Sequence, residues 1–296
     1  MCEKTGVLIA LGAFDGLHIG HKKVLSCDTT EYKEKLALMF KEHPQKVLTG
    51  KAPGGVVTPA KAAELLAEQG FSARYEDFRE ISQHSPRDFV EKILVSKYGA
   101  TALCCGFNYR FGKSAQGDVK LLEELCKEYG IKLTVCDEVD YEGLPVSSTR
   151  IRECIRNGDI KTANEMLGRD FSYDFEVVHG DARGRLLGAP TINQFFSEDF
   201  TVPKYGVYAS YCIVDGKKYA AVTNIGIRPT IGNSAPRSET YIIDFSGDLY
   251  GRNIEVFPIE WIRGEVTFSS LEELSKQIAC DRENSEKIMK RAWEND

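Results

Sequence analysis

Two histidines three residues apart, His18 and His21, lie in a stretch with glycines at 12, 16 and 20, so that Leu8–His21 reads LIALGAFDGLHIGH. Glycines let backbone approach a ligand closely. The apolar run before them reads as a buried strand, and Lys22–Leu25 after them as the start of a helix. A helix N-terminus presents unpaired N–H groups and the positive end of a dipole, which suits phosphate. Two imidazoles on one face of that turn can donate hydrogen bonds to phosphate oxygens and stabilise charge on a leaving pyrophosphate. Taken alone, Gly12, Gly16, His18 and His21 predict phosphate handling at a strand-to-helix turn. A zinc pair is the competing reading, but helical zinc histidines are usually spaced about four apart with an acidic third ligand.

A second constellation begins at Gly180, where the chain runs GDARGRLLGAPTINQF. Gly180, Arg183 and Gly188 belong to a basic, glycine-rich loop suited to covering nucleotide phosphates. Thr191 and Asn193 share a face if the segment is extended. Their hydroxyl and amide oxygens are hard ligands of the kind magnesium takes alongside waters and phosphates. Taken alone, an Asn/Thr turn explains the same residues. Further on, Glu239 reads by position alone as an ordinary exposed strand residue.

These residues need two frameworks. The 296 residues suffice for two cores. Gly6–Leu11, Leu36–Phe40, Thr101–Cys105 and Ile131–Cys136 read as strands, and helices open at Thr58-Pro59, Ser85-Pro86 and Asp118 and close at Gly70, Gly99 and Gly130. Strands alternating with helices predict a parallel sheet with right-handed crossovers, a Rossmann-like α/β domain. Two short helices follow, Ser148–Asn157 and Ile160–Leu167. Beyond Phe171 the texture changes: Phe175–Val178, Gly206–Val214, Lys218–Ile225, Glu239–Phe245 and Ile254–Ile262 are strands without intervening helices, which predicts an antiparallel barrel. Leu271–Ile278 and Ser285–Trp293 are expected as two terminal helices. The expected domains are 1–169 and 170–296.

Composition narrows the partners. The net charge is −6, from 38 basic and 44 acidic residues, which argues against a nucleic-acid binder. No apolar run reaches the roughly 18–20 residues of a membrane span, and the N-terminus lacks signal-peptide features, so a cytoplasmic protein without membrane or obligatory protein partner is expected. Nine cysteines form no C-x-x-C pair and are read as reduced, mostly buried thiols.

At this point a resemblance enters. His18-Ile19-Gly20-His21 matches the His-x-Gly-His signature of the nucleotidylyltransferase superfamily. With Phe14-Asp15-Gly16 it resembles the adenylyltransferase half of bacterial bifunctional riboflavin kinase/FAD synthetases. Phe40–Pro44 (FKEHP), Gly106–Gly112 (GFNYRFG) and Val146–Arg152 (VSSTRIR) resemble further family segments in the same order. The resemblance implies nucleotide contacts at Gly12, Phe14, Asp15, Gly16, His18 and His21, a second phosphate contact at Ser148, Thr149 and Arg152, and flavin contacts at His43, Asn108 and Phe111. Lys41-Glu42 replaces the family's Asp-Pro and Asn108 its aspartate, so no charge is available at 108. Phe107, Tyr109 and Phe111 suit core packing and a flavin or adenine wall equally. Pro190–Asn193 is similar to the riboflavin kinase family's Pro-Thr-Ala-Asn, and Gly206–Tyr208, Asn224–Thr230, Glu239–Phe245 and Tyr250-Gly251 follow in family order, with Glu239 where the family carries its general base.

The resemblance implies ATP-dependent phosphorylation of riboflavin to FMN with Mg²⁺, then adenylylation of FMN to FAD. Its first rival is a riboflavin kinase with weak or absent adenylyl transfer. The second is another nucleotidylyltransferase joined to an unrelated barrel. The third is a flavin-binding or regulatory protein without catalysis. FAD and pyrophosphate from FMN, ATP and Mg²⁺ discriminate the first, flavin phosphorylation by the 170–296 fragment the second, and flavin binding without product the third.

Overall fold

The protein is described from a computed structural model that covers residues 6–28, 31–180, 189–227 and 235–294. It divides into two compact units, 1–55 with 59–148, and 56–58 with 149–296.

In the first unit β1 (Val7–Leu11), β2 (Glu34–Phe40), β3 (Ser72–Glu76), β4 (Ala100–Gly106) and β5 (Lys132–Cys136) form one sheet in the order β3-β2-β1-β4-β5. Every neighbouring pair is parallel. Central strands of such a sheet are covered on both faces and read as continuous apolar runs. Leu8, Ile9, Ala10 and Leu11 are accordingly buried, as are Ala102–Cys105. Ile9, Leu11, Leu36, Leu38 and Leu103 pack with Phe89, Val90, Leu94, Leu122 and Leu125 from the covering helices. The strand order reverses between β1 and β4. That switch point leaves a crevice beyond the carboxyl ends of both strands, where ligands of open α/β sheets bind.

The described α-helices of this unit are α1 (Ile19–Ser26), α2 (Pro44–Thr49), α3 (Pro59–Glu68), α4 (Phe78–Ile81), α5 (Pro86–Asp88) and α6 (Val119–Tyr129). A two-stranded ladder of β6 (Asp140–Tyr141) and β7 (Leu144–Pro145) follows them. The helix signals hold at several ends. Asp118 caps α6 (Val119–Tyr129) by accepting from Leu121 N–H, and Gly130 closes it at φ 67°. The helix expected from Ser85-Pro86 begins as a short α-turn (Pro86–Asp88) and continues over Phe89–Lys97 in π register, with Tyr98 N–H donating to Ile93 C=O, five residues back. β3 was not expected; its exposed, polar pattern SARYE suits the edge it occupies.

In the second unit α7 (Ser148–Asn157) and α8 (Ile160–Leu167) precede an antiparallel sheet of β8 (Thr191–Phe195), β9 (Gly206–Val214), β10 (Lys217–Gly226), β11 (Arg237–Ile242) and β12 (Glu255–Arg263), ordered β12-β9-β10-β11-β8. Phe175–Val178, expected as a strand, instead makes isolated bridges. Tyr173 pairs with Val256, Glu176 with Asn253, and Val178 with Asn193. One face of the sheet carries a buried hydroxyl row: Ser210 Oγ donates to Thr223 Oγ1 (2.7 Å), which lies 3.0 Å from Thr240 Oγ1. Each hydroxyl can donate and accept, so such a row satisfies itself without water.

The two terminal helices are one, α9 (Leu271–Glu294). The stretch Ala279–Asn284 looked like a break because it is polar. It has no glycine or proline, however, and Asp281 turns inward, 3 % exposed, onto Arg263 (2.6 and 3.1 Å) and Gln277. A buried ion pair, rather than a loop, interrupts the apolar pattern.

Candidate active sites

β1 ends at Leu11, and the chain turns through Gly12–Leu17 into α1 (Ile19–Ser26). The turn is tight. Phe14 and Leu17 adopt φ of 49° and 39°, unusual for residues with a side chain, and Gly16 takes 81°. The buried Phe14 ring lies under Gly12, where a Cβ would come within 3.2 Å of it. A side chain at 12 would therefore push on the Phe14 ring by a few tenths of an ångström.

His18 is the N-cap of α1; its Nδ1 accepts from His21 N–H at 3.3 Å. The two imidazoles stack with centroids 3.6 Å apart and planes 18° from parallel, and Phe14 meets His21 edge-on. Burial drives the His21 pKa well below the usual histidine value, and the neighbouring His18 lowers it further. Both effects favour the neutral imidazole at His21. Its Nδ1 is buried and has no hydrogen-bond partner among the described residues. An unsatisfied buried nitrogen at the mouth of a helix is costly unless a ligand completes it.

The turn opens on a cavity of about 1040 Å³. Of the expected residues, Gly12, Phe14, His18, His21, Asn108, Phe111 and Ser148 line it. β4 delivers the Gly106–Gly112 segment to the same crevice. There Phe107 is exposed, whereas Phe111 is buried, packs on Phe89 and stacks with Tyr109. Core and cavity wall are the same residue at 111. Ser148 Oγ donates to Asp15 C=O at 2.9 Å, tying its segment to the phosphate turn.

Asp15, Gly16 and His43 do not line the cavity. His43 caps α2 (Pro44–Thr49), its Nδ1 accepting from Gln45 N–H at 3.1 Å. Glu42, one of the two departures, pairs with Arg79 at 2.5 Å. Thr149 and Arg152 fall in the second compact unit, where Arg152 is buried and its Nη1 reaches Thr149 Oγ1 at 3.5 Å.

In the second unit strand register assembles the other site. Asn193 on β8 lies directly opposite Glu239 on β11, and Thr191 opposite Tyr241. Asn224 on β10 faces Glu239 from the other side. Directly paired residues present their side chains to one face, so Asn193, Glu239 and Asn224 form a row, with Thr191 two residues along. Arg237, two residues before Glu239 and hence on that face, pairs with it at 3.0 Å. Gly180 is pressed against Asn193: a Cβ there would lie 2.4 Å from the amide nitrogen. Beside it, His179 stacks on Tyr250 at 3.8 Å. Arg183 and Gly188 lie outside the described residues.

Sequence reasoning missed Asn224 and Arg237 as site residues. Two-residue periodicity flags Arg237 once Glu239 is chosen. Asn224 needed strand register, which sequence does not supply.

The chain was compared with known families and structures. A riboflavin kinase family model matches residues 167–289 and an FAD synthetase model residues 2–150. The bifunctional riboflavin kinase/FMN adenylyltransferase of Bacillus subtilis is 33% identical over 295 residues, covering 96% of this chain and 92% of that protein. Its Escherichia coli K12 counterpart is 32% identical, covering 94% and 91%. A chain solved as a macrolide-efflux protein from Streptococcus pneumoniae superposes with a TM-score of 0.84 at 27% identity, over 97% of this chain and 95% of that one. No described helix is long and apolar enough to cross a membrane. With both family models matched in order and relatives aligned along nearly its whole length, the chain belongs to the bifunctional riboflavin kinase/FMN adenylyltransferase family.

Proposed function

We propose that this protein makes FAD from riboflavin in two ATP-dependent steps at two separate sites. The observation that carries this reading is that each compact unit holds its own phosphate-directed constellation: the stacked His18 and His21 in one, the Asn193–Glu239 row in the other.

The second unit phosphorylates riboflavin. Glu239 takes the proton of the ribityl 5′-hydroxyl as that oxygen attacks the γ-phosphate. The Arg237 guanidinium pairs with Glu239 and helps to hold its carboxylate in place. Thr191 and Asn193 offer neutral oxygen donors on one face, a donor set that fits Mg²⁺ with phosphates and waters as remaining ligands. Among the described residues no group of three or more His, Cys, Asp or Glu is arranged to hold a metal, so an ion here relies on such donors. Bound Mg²⁺ would supply charge neutralisation on the ATP phosphates. Gly180, which abuts Asn193, belongs to the nucleotide side of this site. The bridges that Tyr173–Val178 makes to β12 and β8 join the two edges of the sheet and support a closed barrel.

The first unit adenylylates FMN. The FMN phosphate is already an anionic nucleophile, so no base is needed; positioning and charge stabilisation can supply much of the rate. It attacks the ATP α-phosphate and pyrophosphate leaves. His18, His21 and the α1 N-terminus face the phosphates, with Ser148 as the second contact. His43, Asn108 and Phe111 serve the flavin. We place the division of labour at 1–169 and 170–296, in the cytoplasm, with riboflavin, FMN and ATP as the small-molecule partners.

Incubation with riboflavin, ATP and Mg²⁺, resolving products over time, tests this. FMN should appear first and FAD with pyrophosphate after it. FMN accumulating without FAD would leave only a riboflavin kinase.

A further inference from the structure

The nine cysteines have no part in either step, yet the fold gathers three of them. Cys27 is the C-cap of α1, Cys104 lies in mid-β4 and Cys136 ends β5. Cys104 pairs in register with Thr134, so Cys104 and Cys136 project to one face of the sheet. The α1 helix packs on β4 and β5. Cys136 Sγ reaches Lys23 C=O, in the last turn of α1, at 3.7 Å. Cys27 Sγ donates to Val24 C=O at 3.0 Å, so the Cys27 and Cys136 thiols sit on successive carbonyls of α1.

The three thiols are not equivalent. Cys104 and Cys136 are buried, whereas Cys27 is partly exposed. The hydrogen bond from Cys104 is the main cause holding the Cys27 thiol down to about 6. Its hydrogen bond to Cys27, then burial, pushes Cys104 far up; burial, then its hydrogen bond to Cys27, pushes Cys136 up to about 12. Of the three, the partly exposed Cys27 is the one held toward the thiolate, while its two buried neighbours are held as thiols. An accessible thiolate beside a second thiol is the arrangement of redox-sensing cysteines.

We propose that Cys27 is a peroxide-reactive thiol whose oxidation closes a disulfide with Cys136 and turns down adenylyl transfer. The Cys27 thiolate attacks one oxygen of hydrogen peroxide. The O–O bond breaks, a sulfenic acid forms, and hydroxide leaves and takes a proton to become water. Cys136 sulfur then attacks the Cys27 sulfur, loses its own proton and expels a second water. Two thiols and one peroxide give one disulfide and two waters. Cys136 is the partner because it ends its strand, where the chain can shift to the ~2.05 Å bond, whereas Cys104 is held between β1 and β5.

The site affected follows from the neighbours. Cys136 and the next three residues, Asp137–Val139, line the phosphate cavity. Lys23 Nζ reaches Glu138 C=O at 3.4 Å, two residues along α1 from His21. A bond from Cys27 to Cys136 pulls the α1 terminus against this wall. The effect on FAD formation rests on the adenylyltransferase reading above; the thiol chemistry does not.

Full-length enzyme treated with a small excess of hydrogen peroxide tests the proposal by non-reducing peptide mapping and both activities. The expected results are a Cys27–Cys136 peptide, FAD formation lowered at least about tenfold, FMN formation unchanged, and recovery with dithiothreitol. Cys27→Ser should keep basal FAD formation and lose both the cross-link and the inhibition. In untreated wild type, alkylation of Cys27 should rise with a midpoint near pH 6, a readout that needs no variant. The proposal is overturned if Cys27 stays reduced while the exposed Cys280 oxidises, if Cys104 is the partner, or if the bond forms without loss of FAD synthesis. No FAD from reduced enzyme would instead sink the adenylyltransferase reading, with the mapping result standing.

Discussion

The two phosphate sites are built on opposite principles. In the first unit the reactive side chains are buried at a strained strand-to-helix turn: His18 is 6 % exposed, Phe14 and Leu17 carry positive φ, and His21 keeps an unpartnered nitrogen. In the second, Thr191, Asn193 and Glu239 stand on regular strands, in register, with no strained backbone among them. The two nucleophiles explain the contrast. A phosphate monoester arrives ionised and needs only a preorganised anion cradle, which burial strengthens. A ribityl hydroxyl must lose a proton, so its site needs a carboxylate held in reach of that hydroxyl, and strand register with the neighbouring Arg237 holds Glu239 there.

The largest expected effect that sharpens this contrast is at Glu239. Glu239→Gln should lower the rate of FMN formation about 10²–10⁴-fold with flavin affinity nearly unchanged. Equal loss of rate and affinity, measured by steady-state kinetics and flavin titration, would break the base assignment. His21→Ala should lower FAD formation from FMN about 10²–10³-fold and leave FMN formation intact. Parallel loss of both activities would show that the two regions are not independent. Gly180→Ala crowds Asn193, and a misplacement of about 1 Å can cost on the order of 10²-fold in rate; a tenfold drop in kinase turnover with normal FAD formation from FMN is expected.

A smaller effect concerns acid stability. The folded-state pKa of His21 is depressed, while the unfolded value is about 6.5. Below that pH the unfolded chain binds the proton first. The stabilising contribution is therefore present above pH ~6.5 and is lost as pH falls from there toward the folded value. Thermal melts of wild type and His21→Gln should converge on acidification, and addition of ATP should offset the wild-type loss, because phosphate favours the protonated ring. The smallest effect is expected of Asn108→Asp, which restores a charge at the cavity wall: FAD formation should change less than about tenfold, upward, in the same FMN assay.

Much of this was legible in the sequence for reasons that are local. Gly12, Gly16 and Gly20 around two histidines announce a turn at a helix start, and the structure places that turn after β1 as expected. Capping residues such as Asp118 and closing glycines such as Gly130 located helix ends. What was not legible is non-local. The edge strand β3 has a polar pattern because only one side is paired. The two terminal helices fuse because Asp281 is satisfied by Arg263, eighteen residues away. The Asn193–Glu239–Asn224 row depends on register between strands distant in sequence, and the Cys27–Cys104–Cys136 cluster on three elements meeting.

The claim that two independent sites act in sequence is tested most directly by mixing two disabled enzymes. His21→Ala supplied with riboflavin, ATP and Mg²⁺ should stop at FMN, and Glu239→Gln should consume riboflavin slowly yet convert added FMN to FAD. Their mixture should make FAD from riboflavin at a rate neither reaches alone. A mixture that makes no more FAD than the sum of its parts would contradict the account.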